Sequence, residues 1–186
     1  MNRILLLGGL WLAIIAYERP LVAEVAAEIA YRYYPVGFVE GISPKETVYN
    51  STPLAANADG RRNLGEASWK IKTENISFTQ SADGGCQLQN QAVVLNCIIT
   101  LPRLEGGRGG QSQIDFERSI EKIELHEMAH CDIALKHARR LEAELAGLGR
   151  RTCQGFPELL QSVYNRIVSE CKAEQVRFDE LEGEID

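Results

Sequence analysis

The sequence predicts an α+β domain in which a small antiparallel β-sheet packs against a long antiparallel helical hairpin. Residues 28–105 contain short alternating or β-branched segments separated by turns, which is the pattern of half-buried strands. Residues 113–182 instead repeat apolar side chains at steps of three and four, the spacing of one helix face. A glycine-rich run at 106–110 separates the two halves.

The N-terminal segment has the pattern of an export signal. An apolar run at residues 4–16 follows Arg3 and ends before Glu18. This length suits the hydrophobic part of a signal peptide and falls short of the about 20 residues that a membrane span needs. We therefore interpret residues 1–27 as a signal peptide, or else as an uncleaved N-terminal anchor, and residues 28–186 as the domain. The expected location is periplasmic or secreted, with membrane contact only through this segment.

Three segments of the first half are predicted strands. Residues 31–36 are mainly aromatic, residues 67–72 alternate apolar and polar side chains, and residues 92–101 are rich in valine and isoleucine. Turn-forming clusters at 57–60 and 82–85 lie between them. These strands supply the predicted sheet.

The second half predicts two helices joined by a short link. The first has an apolar stripe of Phe116, Ile120, Ile123, Ala134, Ala138, Leu141, Leu145 and Leu148. Gly147 and Gly149 favour its end, and Pro157 suits the start of the next helix. The second stripe contains Leu160, Val163, Ile167, Cys171 and Phe178. Because the link is short, we expect the helices to be antiparallel.

The composition indicates a globular domain that does not bind nucleic acid. Hydrophobic residues make up 45% and charged residues 25% of the chain, which is the balance of a folded domain. The net charge is -6, whereas phosphate binding needs a basic patch.

Five cysteines fit disulfide formation in an exported protein. Cys86 and Cys97 flank a predicted hairpin and are expected to face each other across it. Cys153 and Cys171 are the other candidate pair, which leaves Cys131 over. Four cysteines allow three connectivities, so the pairing stays open. Zinc binding by cysteine is the weaker interpretation, because no C-x-x-C spacing occurs.

The sequence His126-Glu127-Met128-Ala129-His130 is an H-E-x-x-H motif within the first predicted helix. Residues four apart lie on one helix face, so both imidazoles can bind one zinc ion. Glu127 projects beside them and can take a proton from water that the metal activates. The motif therefore predicts a zinc site with Glu127 as general base.

His137 is not predicted to bind the same ion. It lies seven residues beyond His130, which is about 10 Å along the helix axis, whereas zinc–nitrogen bonds are about 2 Å long. We interpret His137 as a surface residue or as one that contacts a ligand without binding the metal itself.

A carboxylate on the second helix is the expected third ligand. If the turn is centred near residues 152 and 153, position 126 lies level with about position 179, at the same rise per residue. Asp179 is therefore one candidate and Glu184 the other. Nearby acidic competitors are Glu174 and Glu182.

Several stretches occur in the order seen in a known family. They are Tyr34-Pro35-Val36 with Gly41, Arg61-Arg62-Asn63-Leu64-Gly65 leading to Trp69, Cys86 before a valine-rich strand ending in Leu101-Pro102, the H-E-x-x-H helix, and Phe178-Asp179. From about Tyr33 to Asp179, the chain resembles the bacterial domain of unknown function 922, described as predicted secreted zinc-dependent proteases. The resemblance implies a zinc-dependent hydrolase.

The resemblance leaves the third ligand open. The family pattern closes with an aromatic–Asp pair, followed five residues later by histidine and glycine, where this chain has Glu184 and Ile185. If the family's histidine is the ligand, Glu184 replaces it. If the aspartate is the ligand, Asp179 keeps that role.

The expected function is hydrolysis of a peptide or protein substrate by zinc-activated water. One alternative is an exported zinc-binding protein that has no turnover. The other is a structural or interaction domain of the envelope in which the motif is accidental. Metal content separates the last interpretation from the first two, and a cleavage assay separates the enzyme from the binder.

Overall fold

A mixed four-stranded sheet with two long helices on one face makes up the described part of this computed structural model. The structure describes residues 25–37, 41–56, 60, 62–106 and 109–182. Most of the predicted signal peptide, residues 1–24, lies outside this part. The elements in chain order are β1 (Ala26–Gly37), α1 (Pro44–Ser51), β2 (Glu66–Gln80), β3 (Gly85–Glu105), α2 (Gln111–Ala146), β4 (Arg151–Thr152) and α3 (Phe156–Glu182).

The sheet confirms the α+β class but is not wholly antiparallel. Its strand order is β1-β3-β2, with β4 paired to the start of β3. β2 is antiparallel to β3, whereas β1 is parallel to it. The prediction of an antiparallel sheet was wrong at β1 because β1 and β3 are not consecutive. The chain passes through α1 and β2 before β3 runs beside β1 in the same direction.

The central strand β3 presents one face to the helices. Leu95, Cys97 and Ile99 are fully buried, while the alternating Asn96 and Ile98 are only half-buried. This period of two is the geometry of a strand with one covered face. The buried side chains pack against the apolar stripes of α2 and α3.

α2 and α3 occupy the two segments with helical periodicity and run antiparallel. An ion-pair network on their outer surface links the two helices. It consists of Arg140 and Glu144 on α2 and Arg166 and Glu170 on α3. Such exposed pairs each stabilise a fold only slightly, so the apolar stripes supply most of the packing energy. Within the described ranges, neither these helices nor α1 combines the length and apolar character needed to cross a membrane.

Two local elements differ from the sequence prediction. Helix α1 falls in the half expected to be strand and turn. The Ser43 hydroxyl caps it by accepting a hydrogen bond from the Glu46 N–H at 3.2 Å. β3 also continues past Pro102, where the sequence predicted an end. β2 begins at Glu66, opposite Thr100. Beyond that pair, no strand of the described residues lies beside β3 on this side, where proline is tolerated.

The disulfides are Cys86–Cys153 and Cys97–Cys131. Both predicted pairs were wrong. Cys86 and Cys97 lie on one strand rather than across a hairpin, about 36 Å apart at about 3.3 Å per residue. Cys171 is a buried free thiol within α3, and its burial raises the pKa of the thiol to about 11. The two disulfides are compatible with an exported protein.

The Cys97–Cys131 disulfide joins β3 to α2 directly after His130. Replacing both cysteines with serine should lower the free energy of unfolding by about 2–4 kcal/mol, because the bridge closes a loop of 34 residues. Urea denaturation of purified protein measures the change, with Cys171→Ala as the control for a buried cysteine without a bridge. Equal stability of the double variant and the control would contradict the expected contribution.

Candidate metal centre

Three side chains from α2 and α3 converge at one point. His126 and His130 lie one turn apart on α2, and Asp179 lies near the end of α3. The Nε2 atoms of the two histidines are 3.3 Å apart. Asp179 Oδ1 lies 3.4 Å from the Nε2 atom of His126 and 2.9 Å from that of His130. This is the group of potential ligand atoms that the described residues bring together.

The triangle formed by these atoms has the dimensions of a zinc site. Bonds of about 2.0–2.1 Å in a tetrahedron separate neighbouring ligand atoms by about 3.3 Å. The observed separations are 3.3, 3.4 and 2.9 Å. Two imidazoles and a carboxylate are also donors that zinc accepts. The three side chains can therefore occupy three corners of one coordination shell and leave the fourth open.

The surroundings of the triangle are apolar on one side and open on another. The Phe178 ring lies 5.0 Å from the ring centres of both His126 and His130. The side chains of these histidines are 15% and 13% exposed, whereas that of Asp179 is 51% exposed. Burial lowers the pKa of His126, which favours the neutral imidazole that binds metals. A ligand from solvent can approach beside Asp179.

Gln175 contacts His130 at two points. Its Oε1 lies within hydrogen-bonding distance of His130 Nδ1, and its Nε2 donates to the His130 carbonyl oxygen at 2.9 Å. Gln175 is buried one turn before Asp179 on α3. Gln175 therefore holds the ring of His130 in place but is not itself a member of the ligand group.

Glu127 contacts the backbone at the start of β2. It is buried, and its carboxylate accepts a hydrogen bond from the Ala67 N–H at the start of β2. A side chain on Gly65 would clash here, since a Cβ would lie 2.5 Å from Ile123 Cγ2 and 2.9 Å from Glu127 Oε1. The missing side chain of Gly65 thus allows the backbone before β2 to approach the glutamate.

Burial raises the pKa of Glu127 to about 7. The Ala67 N–H opposes this shift by stabilising the carboxylate, while the negative charges of Asp179 and Glu66 add to it. A carboxyl group with a pKa near neutrality can both accept and return a proton, as a general base and acid must.

The family model described as bacterial protein of unknown function DUF922 matches residues 31–184. This chain belongs to the DUF922 family. This match supports the domain family, whereas the zinc-dependent protease activity stays a prediction. Neither the curated proteins nor the solved structures include a match to this chain.

The matched DUF922 region contains every candidate ligand. His126, His130 and Asp179 come together, whereas Glu184 lies outside the described residues. Glu182 does not join the ligand group. Glu174 lies five residues before Asp179 on α3, where it contacts Lys136 and His137. Of the acidic residues considered for the third ligand, Asp179 is the one that the described structure brings to both histidines.

His137 is neither on the surface nor among the ligand atoms of the DUF922 domain. It is 3% exposed, and its Nε2 lies 2.9 Å from Glu174 Oε2. Of the two interpretations of His137, the surface position was wrong, because α3 covers this part of α2. The expectation that His137 lies apart from the two histidines of the motif agrees with the structure.

Two residues at this centre were given no role by the sequence. Gly65 belongs to the stretch at 61–65 that carries the family resemblance, but no local pattern marks its approach to Glu127. Gln175 carried a weak signal, since it interrupts the apolar stripe of α3 four residues after Cys171 and four before Asp179. A polar residue at a buried stripe position opposite H-E-x-x-H indicates a hydrogen-bonding role.

The burial of Glu127 predicts a pH-dependent cost to stability in metal-free protein. Its folded pKa of about 7 exceeds its ordinary value of 4.5, so the cost is absent below pH 4.5 and complete above pH 7. Chelator-treated Glu127→Gln should therefore exceed the wild type in unfolding free energy by up to about 3 kcal/mol at pH 8, and by little at pH 4. Urea denaturation at both pH values measures this difference.

The control for this experiment is Glu121→Gln, which changes an exposed glutamate on the same helix. It should show no comparable gain at pH 8. If Glu127→Gln has the same stability as the wild type at both pH values, the ionised carboxylate is not destabilised by burial.

Proposed function

We propose that this protein is an exported zinc-dependent peptidase, with His126, His130 and Asp179 as zinc ligands and Glu127 as general base. The observation that supports this most directly is the triangle of two Nε2 atoms and one Oδ1 atom, with sides of 2.9–3.4 Å. These separations match those of neighbouring ligands on tetrahedral zinc, which are about 3.3 Å. Glu127 directly follows the first ligand in the chain.

The donor set suits a catalytic centre more than a purely structural one. Structural zinc sites use four protein ligands, whereas catalytic sites use three and keep one position for water or substrate. Two histidines and one carboxylate make a three-ligand set. Zinc bound here would supply Lewis acidity towards water and towards the carbonyl group of the substrate.

Glu127 carries the proton during hydrolysis. Its carboxylate takes a proton from the attacking water while the water oxygen bonds to the peptide carbonyl carbon. Glu127 then returns this proton to the nitrogen as the C–N bond breaks, which yields an amine and a carboxylic acid. The pKa of about 7 for Glu127 suits both steps near neutral pH.

The exposed fraction of Asp179 supports access by a polymeric substrate. The ligand is half-exposed, and the two histidines lie behind it against Phe178. A peptide or unfolded protein can reach a centre open to solvent on this side. Export is part of the proposal because the apolar run at residues 4–16 and the two disulfides both fit a location outside the cytoplasm.

Metal analysis combined with a cleavage assay tests the proposal. The purified domain should contain about one zinc per chain and should cleave an unfolded protein or a peptide library. A chelator should stop cleavage, and added zinc should restore it. Zinc without cleavage would favour the binding protein, whereas protein that neither retains nor takes up zinc would favour the envelope domain with an accidental motif.

A further inference from the structure

The buried amide of Gln175 uses both its acceptor and its donor on His130. Its Oε1 meets His130 Nδ1, while its Nε2 donates to the His130 carbonyl oxygen at 2.9 Å and lies 3.9 Å from Cys171 Sγ. The residue is 7% exposed. Along the same stripe, the preceding buried α3 residues are apolar. A buried amide is costly unless it is hydrogen-bonded, so these contacts account for its place in the helix interface.

The carbonyl contact determines which way the amide faces. A backbone carbonyl oxygen only accepts hydrogen bonds, so the Gln175 NH₂ group must be the end beside it. The reversed amide would place two oxygens against each other. Gln175 Oε1 is therefore the atom that faces the His130 ring.

The amide orientation in turn determines the tautomer of His130. An amide oxygen only accepts, so the ring nitrogen beside it, Nδ1, must carry the hydrogen. A neutral imidazole has one N–H, and Nε2 is then left with a free lone pair. That atom points into the ligand triangle, 3.3 Å from His126 Nε2 and 2.9 Å from Asp179 Oδ1. When no metal is bound, the Asp179 carboxylate therefore competes for a proton at Nε2.

We propose that Gln175 is a positioning residue that presents His130 Nε2 to the metal by holding the Nδ1–H tautomer. This inference rests on the proposed zinc site. A hydrogen-bond partner on the far nitrogen of a metal-binding histidine fixes the orientation of the ring and makes it a better ligand, and its loss typically weakens metal binding 10–100-fold. Gln175 differs from a carboxylate partner because it also contacts the backbone of the residue that it orients.

Nitrogen-15 NMR of the metal-free Asp179→Ala variant tests the tautomer, because this variant lacks the carboxylate that competes for a proton at Nε2. The chain has only three histidines, so spectra of protein labelled at histidine are simple to assign. At pH 8, His130 should show a protonated Nδ1 both in this variant and when Gln175→Glu is added to it, because glutamine and glutamate both offer an oxygen acceptor. Gln175→Met, which has similar length and no such acceptor, should show a signal shifted towards the Nε2–H form.

Zinc competition with a chelator supplies the second measurement. Gln175→Met should raise the Kd for zinc about 10–100-fold. Gln175→Glu should bind zinc more tightly than Gln175→Met, because it keeps an acceptor for Nδ1 although its second oxygen faces the His130 carbonyl. The matched control is Gln161→Met on the exposed side of α3, which should leave the Kd unchanged. Circular dichroism verifies that each variant is folded.

The outcomes separate this inference from the proposed function. In the Asp179→Ala variant, a His130 with its proton on Nε2 would overturn the role of Gln175 whether or not the wild type binds zinc. A Gln175→Met variant that is folded and has wild-type zinc affinity would do the same. A wild type that takes up no zinc, together with the Nδ1–H tautomer in Asp179→Ala, would instead overturn the zinc proposal. If Gln175→Met does not fold, Asp179→Ala alone and with Gln175→Glu still decides the tautomer.

Discussion

Glu127→Gln is expected to keep its zinc and to lose peptide hydrolysis. Glu127 is not in the ligand group, so the three ligand atoms should remain in place in the variant. The amide can still accept the Ala67 hydrogen bond but cannot take a proton from water. Loss of general-base help should lower kcat about 10²–10⁴-fold. Metal analysis and cleavage of a labelled unfolded protein measure the two properties on the same sample.

An exposed glutamate supplies the comparison for this experiment. Glu121→Gln removes a negative charge from the same helix at a site away from Ala67 and should retain both zinc and activity. If Glu127→Gln hydrolyses peptides at the wild-type rate, the reaction does not use Glu127 as its base. If the variant loses zinc together with activity, Glu127 contributes to binding rather than to proton transfer alone.

Removal of a ligand is expected to abolish zinc binding and activity together. His126→Ala and His130→Ala each delete one corner of the triangle, and Asp179→Ala deletes the third. Each should weaken zinc affinity by more than about 100-fold, because about 100-fold is the upper end of the loss when only a hydrogen-bond partner of a ligand is removed. Zinc content after dialysis and kcat/KM should fall together.

His137→Ala and Glu184→Ala complete this series. His137 bonds to Glu174 rather than to the ligand group, so its replacement should lower stability but leave zinc bound. Loss of zinc from folded His137→Ala would contradict this arrangement. Glu184→Ala should retain zinc if Asp179 is the third ligand. The opposite result, in which Asp179→Ala keeps zinc and Glu184→Ala loses it, would reverse the assignment.

The two histidines could be paired from the sequence because their pairing is a property of one helix. With 3.6 residues per turn, positions 126 and 130 lie on one face whatever the rest of the fold does. Placing Asp179 opposite His126 needed one further fact, namely that a short link joins two antiparallel helices with the same rise per residue. The extent of the helices and the position of the link can both be predicted from the local sequence pattern. The structure places Asp179 Oδ1 3.4 Å from His126 Nε2.

The disulfides and the surroundings of Glu127 were decided by tertiary structure. Cys97 meets Cys131 because α2 crosses β3 at that level, and Gly65 reaches Glu127 because β2 begins beneath the same turn of α2. Neither contact follows from the spacing of residues within one element. Both depend on strand order and on the position at which a helix crosses the sheet, which join residues distant in the chain.

The H-E-x-x-H pattern and its helix were thus determined by sequence alone, since backbone geometry converts a spacing of four residues into a shared face. The tertiary structure decided the burial that raises the pKa of Glu127, and it decided the contacts of Gln175 with His130. The physical reason is the range of the interactions. Helical periodicity acts over one turn, whereas desolvation and hydrogen bonding between α2, α3 and the sheet require the packed domain.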